Sequence, residues 1–244
     1  MKKIILLVVL LASISVYSQS SKKWRGNYLL NGTVENADIK QVSLSYLANS
    51  KIGIVADTII AVVGDNNKFS ISGFIDEPIF STLQVGENEL KFFIDPAIID
   101  LQIASNNKDF TIKGSSSSND YLEIEELKKG FAKKNEKELR ELNQRLDSAL
   151  AVKADIMNEY SKRILQLEAE PALAALTFAS KERGSFAVLK AMDDLLNPEN
   201  DYYKRDVCMQ IMRIYAQMPE HIKDTPTGVD VSGKILKAKL NMKF

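Results

Sequence analysis

The first half of the chain alternates apolar and polar residues with a period of two, and this pattern constrains the fold more than any other feature. Val42, Leu44 and Tyr46 alternate with Gln and Ser neighbours. The same alternation recurs over residues 68–72 and 99–103. Because successive side chains of a β-strand point to opposite faces, each segment is predicted to be a strand with one face in a core.

Clusters of Asn, Asp, Ser and Gly separate these apolar segments at intervals of about ten residues. The clusters are Glu35–Asp38, Asn49–Lys51, Gly64–Asn67 and Ser105–Lys108. Short strands between regularly spaced turns are typical of an antiparallel β-sandwich or barrel. We therefore predict an N-terminal β-domain of about eight strands over residues 26–114.

The pattern changes after Gly114 and the run Ser115–Ser118, which we interpret as a linker. Apolar side chains then recur at steps of three and four residues, the spacing of an amphipathic helix. They are Leu139, Leu142, Leu146, Ala149, Ile156, Tyr160, Ile164 and Leu167, with an interruption at Lys153. We expect a helix to start at Asp120, and the long helix that carries this stripe to end at Pro171, because proline disrupts a helix interior.

Shorter helices are predicted over about 171–183, 185–197 and 201–218, the last closed by Pro219. The tail from residue 225 to residue 244 receives no assignment. The predicted fold class is therefore α+β, with the β-domain followed by a mainly helical domain over residues 119–240.

The N terminus has the three parts of a secretory signal peptide. Two lysines follow Met1, an apolar run covers residues 4–11, and small residues precede the position after Ser18. The apolar run is shorter than the roughly 20 residues that span a bilayer. We expect cleavage of residues 1–18 and export to the periplasm or cell envelope, with an uncleaved N-terminal anchor as the alternative.

Charge and cysteine content exclude several classes of function. The chain has 32 basic and 32 acidic residues, and this balance argues against a nucleic-acid partner, which requires clustered Lys and Arg. No later apolar run is long enough to span a membrane. Cys208 is the only cysteine, so the chain has neither an internal disulfide nor a Cys-x-x-Cys redox pair.

Single titratable residues are interpreted as structural. Cys208 lies in a predicted amphipathic helix, where we expect a buried, inert thiol. His221 is the only histidine and follows a predicted helix end, so we expect it to be exposed and not to form a zinc site from the usual ligands.

Acidic clusters receive the same interpretation. Asp193–Asp194 and Glu123–Glu126 are expected on solvated helix faces, and Asp65–Asn67 in a hairpin turn, because it lacks the later ligands of a calcium loop. Trp24 and its basic neighbours are expected to lead into the first strand. The sequence predicts no catalytic, cofactor-binding or metal-binding residues.

Two short motifs indicate candidate O-glycosylation sites. Asp57-Thr58-Ile59 and Asp147-Ser148-Ala149 both have the Asp–hydroxyl–aliphatic pattern used as an acceptor in some bacteria. A sugar can be attached only where the hydroxyl of Thr58 or Ser148 faces solvent.

Three stretches resemble the N-terminal β-domain of unknown function found in exported bacterial thiol–disulfide reductases. They are the segments Lys68–Pro78, Phe92–Ile99 and Phe110–Ser115. The similarity covers about residues 26–120, and the helical segment that follows is similar only in its order of elements. In that family a thioredoxin-like domain with a Cys-x-x-Cys motif usually follows, and this motif is missing here.

The resemblance therefore implies the accessory part of such proteins and no reductase activity. We expect a non-catalytic binding or accessory module of the cell envelope, whose partner is another envelope protein and which needs no cofactor. The alternative is one component of a split thiol–disulfide oxidoreductase system, with the thioredoxin-like domain supplied by another chain.

Overall fold

The computed structural model describes residues 25–50, 53–149, 154–182, 184–196 and 206–241. The predicted signal segment 1–18 and Trp24 lie outside these residues, so both interpretations stay predictions.

Eight strands form the N-terminal half of the chain. They are β1 (Gly26–Val34), β2 (Gln41–Ser50), β3 (Gly53–Val62), β4 (Lys68–Ile75), β5 (Ile79–Val85), β6 (Asn88–Ile94), β7 (Ile98–Ile103) and β8 (Phe110–Lys113). The first sheet has the order β4-β1-β7-β8 and the second has the order β3-β2-β5-β6. The predicted sandwich of about eight strands is therefore confirmed.

The sandwich is not purely antiparallel as predicted, because β1 and β7 pair in parallel with Leu30 opposite Ile99. Alternation within one strand does not encode the direction of its neighbour, so the sequence could not show this pair. Asp65–Asn67 forms a turn, with Asn67 at a φ of 59°. The turn is not a hairpin, because it joins β3 of the second sheet to β4 of the first.

The inward faces of both sheets form one apolar core. Leu30, Leu44, Leu83, Phe92 and Leu101 are almost completely buried there. Burial of such side chains contributes roughly 1.5–3 kcal/mol each, before the entropy cost of ordering them. This core fixes the strand registers and hence which residues reach the outer faces.

Six helices follow the sandwich in the described residues. They are α1 (Ser116–Ala149), α2 (Ala154–Glu182), α3 (Phe186–Leu195), α4 (Asp206–Gln217), α5 (Glu220–Lys223) and α6 (Pro226–Asn241). None of them is long and apolar enough to cross a membrane. Their buried side chains form a second core, in which Leu176, Phe186, Met192 and Ile211 pack against Phe93 of β6.

Two helix boundaries differ from the prediction. Pro171 lies inside α2 and does not end a helix, and α1 begins at Ser116 instead of Asp120. Helix α6 occupies most of the unassigned tail, from Pro226 onwards. The stripe of apolar residues is divided between α1 and α2, and Lys153 lies outside the described residues.

The serine run is not a loose linker. Ser115 and Ser118 are buried, and the hydroxyl of Ser118 donates to the carbonyl of Phe93 at 2.7 Å and accepts from its N–H at 2.9 Å. Asp95 accepts from the N–H of Ser117 at 3.1 Å, so a carboxylate after β6 stabilises the first turn of α1. Gly114 has a φ of +87°, and an added Cβ would lie 2.0 Å from the carbonyl oxygen of Ile98. The junction is thus a fixed connection, and the division of the chain into domains at this point remains a prediction.

Candidate functional site: a groove between the second sheet and the helices

A groove of about 510 Å³ lies between the outer face of the second sheet and helices α3 and α6. We call this cleft the groove. Its sheet side includes Ser45, Leu47, Thr58, Thr82 and Phe80, and its helix side includes Phe186, Lys190, Asp193, Asp230, Val231 and Lys234. Glu77 and Pro78, in the connection between β4 and β5, form one end.

The floor of the groove follows from strand alternation. Val42 and Leu44 point into the sandwich core. Ser45 therefore points to the outer face of the sheet, on which the helices lie. The register places Ser45 opposite Thr58 on one side and Thr82 on the other. Three hydroxyl residues therefore lie in a row across the strands, with the hydroxyl of Ser45 3.4 Å from the carbonyl oxygen of Thr82.

Aromatic rings close the end of the groove nearest the helical core. Phe80 packs edge-to-face on Phe93 and on Tyr121, with ring centroids 5.3 Å and 5.0 Å apart. The ammonium of Lys190 lies 4.8 Å from the centroid of Phe80, a cation–π contact. Burial raises the pKa of Tyr121 to about 12, so its hydroxyl stays protonated at neutral pH.

The two lysines of the helix side are already paired. Lys234 forms an ion pair with Asp193 and a second one with Asp230 at 2.8 Å. Burial lowers the pKa of Lys234, but hydrogen bonds to these two carboxylates outweigh burial, and the pKa is raised overall. Lys190 pairs with Asp194 one helical turn away. These two lysines pair with three aspartates, so one negative charge of the helix side is unbalanced.

Glu77 joins the sandwich to helix α6. Its side chain accepts a hydrogen bond from the hydroxyl of Thr227 at 2.6 Å and from the N–H of Thr227 at 3.1 and 3.2 Å. Only 3% of Glu77 is exposed, and burial raises the pKa of its carboxyl, although the hydrogen bonds of Thr227 act in the opposite direction. The carboxylate thus caps the N terminus of α6 from the other half of the molecule.

Asp57 lies on β3 beside the groove, and its side chain is on the face of the strand that carries Ile59 and Ala61, opposite to Thr58. It accepts a hydrogen bond from the hydroxyl of Tyr46 at 3.0 Å and from the N–H of Thr58 at 2.8 Å. Burial is the largest cause of the raised pKa of Tyr46, and its hydrogen bond to Asp57 adds to it. Asp57 is exposed and forms no ion pair within the part of the chain that the structure describes.

The residues singled out by the sequence do not meet at this groove, apart from Thr58 and Asp193. Cys208 is 3% exposed in the helical core, as predicted, and burial raises the pKa of its thiol. His221 is exposed at the start of α5, as expected. The described residues contain no group of three or more His, Cys, Asp and Glu side chains placed to hold a metal ion.

The acidic clusters are only partly on solvated faces. Glu123 and Glu126 are exposed, whereas Asp193 is half-buried at the groove, where it pairs with Lys234. Thr58 is exposed. The side chain of Ser148 is not among the side chains that the structure describes. The spacing of Lys190 and Asp194 indicates a helical ion pair, but no sequence signal brings Glu77 to Thr227, 150 positions away.

Comparison with curated proteins gives no match. Among solved structures, a proposed cell adhesion protein from Bacteroides ovatus ATCC 8483 is 11% identical, with a TM-score of 0.26. That similarity covers 38% of this chain and 44% of the other chain, so it supports no statement about fold or function.

One family matches the β-domain. The matched residues contain β1 to β8 and the first turn of α1, which agrees with the β-domain part of the resemblance. The association with a thioredoxin-like domain stays a prediction. Residues 28–121 match the family described as "Domain of unknown function (DUF4369)".

Proposed function

We propose that the chain is a non-catalytic binding module of the cell envelope that holds an extended segment of a partner protein in the groove. The observation that carries this proposal is the groove itself, in which an aromatic end, a row of hydroxyls and paired charges with one carboxylate in excess lie between two packed layers. Its volume of about 510 Å³ is within the range of roughly 300–1,000 Å³ that is typical of binding clefts.

The charges of the groove favour a basic and apolar segment as its occupant. Lys190 pairs with Asp194, and Glu77 is hydrogen-bonded to Thr227. Asp193 and Asp230 share one lysine, Lys234, so one carboxylate charge on the helix side is in excess. A Lys or Arg of the occupant would pair with these aspartates while apolar side chains pack on Phe80 and its neighbours.

Several features support a binding role over catalysis. The lining residues include neither histidine nor cysteine, which are the usual bases and nucleophiles. Two contacts between a hydroxyl and a carboxylate lie at the groove. Thr227 with Glu77 has the geometry of a helix cap, because the same carboxylate also binds the N–H of Thr227. The hydroxyl of Tyr46 donates to Asp57 on the sandwich face of β3, and the pKa of Tyr46 is raised, so this hydroxyl stays protonated. The predicted export signal supports a partner in the envelope.

A displayed library of random linear peptides, selected on the purified chain, tests the proposal. We expect enriched peptides with apolar residues around a Lys or Arg. They should bind Ser45→Arg at least about tenfold more weakly than the wild type, equivalent to about 1.4 kcal/mol, because the arginine fills the floor of the groove.

Gln41→Arg is the matched control, since Gln41 lies on the same strand and the same face but does not line the groove. Peptides that bind this variant as they bind the wild type support the groove as the site. A library that yields no enriched peptides, or peptides that bind Ser45→Arg unchanged, would overturn the proposal.

A further inference from the structure

Strand β3 is an edge strand whose outer side has no partner among the described residues. It pairs with β2, and the second sheet ends there. An unpaired edge presents a row of N–H and C=O groups, and such a row is a template for another strand. Natural proteins usually block such edges by shortness, charge, proline or a covering element.

The other edge of the same sheet is blocked. On β6, the N–H and C=O groups of Phe93 are both bound by the hydroxyl of Ser118, and helix α1 packs beside the strand. In the first sheet, β8 is only four residues long and ends in Lys113. The remaining edge strand, β4, begins with Lys68 and shows Ser70 and Ser72 on its outer face.

Apart from the charge of Asp57, strand β3 has none of these protections among the described residues. It is ten residues long, and the segment from Thr58 to Val62 contains neither charge nor proline. Ile60 is 66% exposed and Val62 is 77% exposed, which is unusual for neighbouring positions on one face of a strand. An uncharged, apolar and open edge of this kind indicates an interaction surface.

The backbone of this segment is oriented for pairing. The N–H of Val63 donates to the carbonyl of Lys40 at 2.9 Å, so the backbone groups of Val63 face β2. Because successive residues of a strand alternate the direction of their N–H and C=O groups, those of Thr58, Ile60 and Val62 face the open edge. The N–H of Thr58 is bound to the carboxylate of Asp57 at 2.8 Å, so the groups without a partner among the described residues are the carbonyl of Thr58 and both backbone groups of Ile60 and Val62.

We propose that β3 pairs with β3 of a second copy of this chain, in antiparallel orientation about Ile60. In this register Ile60 lies opposite Ile60 of the other copy, Thr58 opposite Val62, and Ile59 opposite Ala61. With the N–H of Thr58 held by Asp57, the edge-facing residues of the two copies form about four backbone hydrogen bonds in the dimer. The two second sheets become one continuous sheet of eight strands, with an apolar row along its outer face.

Charge identifies a second copy as the occupant. Asp57 is the only charged residue of β3. This register places it beyond the paired segment and away from Asp57 of the other copy. The chain carries 32 basic and 32 acidic residues, so two copies do not repel each other through net charge. The segment from Thr58 to Val62 is its own complement, apolar opposite apolar, and needs no charged partner.

The proposal is independent of the groove, and sedimentation velocity of the purified full chain over a range of concentrations tests it. We expect a reversible dimer that becomes a monomer in Ile60→Lys, because the register places the two ammonium groups directly opposite each other, where like charges are destabilising. Ile60→Pro should have the same effect while keeping the β2–β3 ladder, since the N–H it removes faces the open edge.

Two controls locate the interface. Leu47→Lys changes an equally exposed side chain on β2, which is not an edge strand, and Phe74→Lys changes the edge of the first sheet. Both variants should remain dimeric, and circular dichroism should show all four variants folded. A wild type that is monomeric at every concentration, or a dimer that survives Ile60→Lys, would overturn the proposal, as would a dimer lost only in Phe74→Lys.

A cysteine pair tests the register directly. Opposite residues of a hydrogen-bonded pair have Cα atoms about 5.5 Å apart, which permits a disulfide. Ile60→Cys should therefore crosslink two copies under mild oxidation. Thr58→Cys should not, because residue 58 of one copy and residue 58 of the other lie ~13 Å apart along the strands. Cys208 is buried and should not contribute. Crosslinking of Thr58→Cys in preference to Ile60→Cys would rule out this register.

Discussion

Glu77 and Thr227 are 150 positions apart in the chain, and the carboxylate of the first accepts both the N–H and the hydroxyl of the second. The contact joins the connection between β4 and β5 to the first turn of α6. It satisfies one of the N–H groups that every helix N terminus leaves without an intrahelical partner. It also sets the distance between the two sides of the groove.

Replacement of Glu77 should therefore destabilise the whole molecule. Glu77→Ala removes the carboxylate that binds the partly buried N–H and hydroxyl of Thr227, and we expect a loss of about 1–3 kcal/mol in the free energy of unfolding. Glu77→Gln keeps one acceptor oxygen and should lose less. Urea denaturation followed by circular dichroism measures both, and Glu87→Ala, at an exposed turn position, should change stability by less than about 0.5 kcal/mol. Equal effects of Glu77→Ala and Glu87→Ala would contradict this role.

The same carboxyl should make stability depend on pH. Because burial raises the pKa of Glu77 above 4.5, the folded chain binds its proton more tightly than the unfolded chain. Between the two pKa values the folded state holds more protons, so its stability falls as pH rises. The free energy of unfolding of the wild type, relative to Glu77→Gln, should thus decrease above pH 4.5 and level off past the folded pKa. A difference that stays constant would show that folding leaves the pKa of Glu77 unchanged, and one that increases with pH would show that the folded state favours the ionised form; either result would contradict this prediction.

The junction between sandwich and helices should be sensitive to one hydroxyl. Ser118 is fully buried and binds both backbone groups of Phe93. Ser118→Ala leaves the N–H of Phe93 unsatisfied, whereas the carbonyl keeps the hydroxyl of Ser115 at 3.1 Å, and we expect a loss of about 1–3 kcal/mol. Ser116→Ala, two residues earlier and exposed, removes a weaker contact of 3.2 Å with Asp95 and should cost clearly less. Thermal unfolding of the two variants compares them, and similar melting temperatures would refute the structural role of Ser118.

The sandwich could be predicted from sequence because its signal is local. Alternation at Val42, Leu44 and Tyr46 and the turn clusters report strand faces and boundaries directly. The parallel pairing of β1 with β7 is not local, since it depends on which strands meet after folding. Pro171 within α2 is similarly a case in which packing outweighs a local preference.

The groove could not be predicted for the same reason. Its residues come from β2, β3, β5, α3 and α6, and each of them is unremarkable in its own segment. Ser45 follows from alternation as an outward residue, but the sequence does not show that helices cover that face. The serine run illustrates the converse error: small polar residues indicated a linker, whereas the hydroxyls of Ser115 and Ser118 complete the edge of β6.

The thiol of Cys208 should be unreactive in the folded chain. It is 3% exposed, and burial raises its pKa, so little thiolate forms at neutral pH. We expect a thiol probe to label it slowly until denaturant is added, and the purified chain to show no insulin reduction. Cys208→Ser should leave the fold and peptide binding largely intact. Rapid labelling of the native chain would overturn this prediction.

Thr58 is the better placed of the two candidate O-glycosylation residues. Its side chain is exposed on the outer face of β3, and the preceding Asp57 is exposed as well. A sugar on this hydroxyl would meet no core residue, although the backbone N–H of Thr58 stays bound to the carboxylate of Asp57. The prediction for Ser148 rests on sequence alone.

A glycan at Thr58 would stand at the rim of the groove and beside the edge that we propose for dimerisation. Protein from the native host should therefore exceed the mass of the bare chain and should be monomeric, whereas unmodified protein should be dimeric. The excess mass should disappear in Thr58→Ala, while Thr33→Ala, in a strand without the Asp–hydroxyl–aliphatic motif, should keep it. Intact-mass spectrometry makes the measurement. A mass equal to that of the unmodified chain would end the hypothesis for both residues, and an excess that only Ser148→Ala removes would move the site to α1.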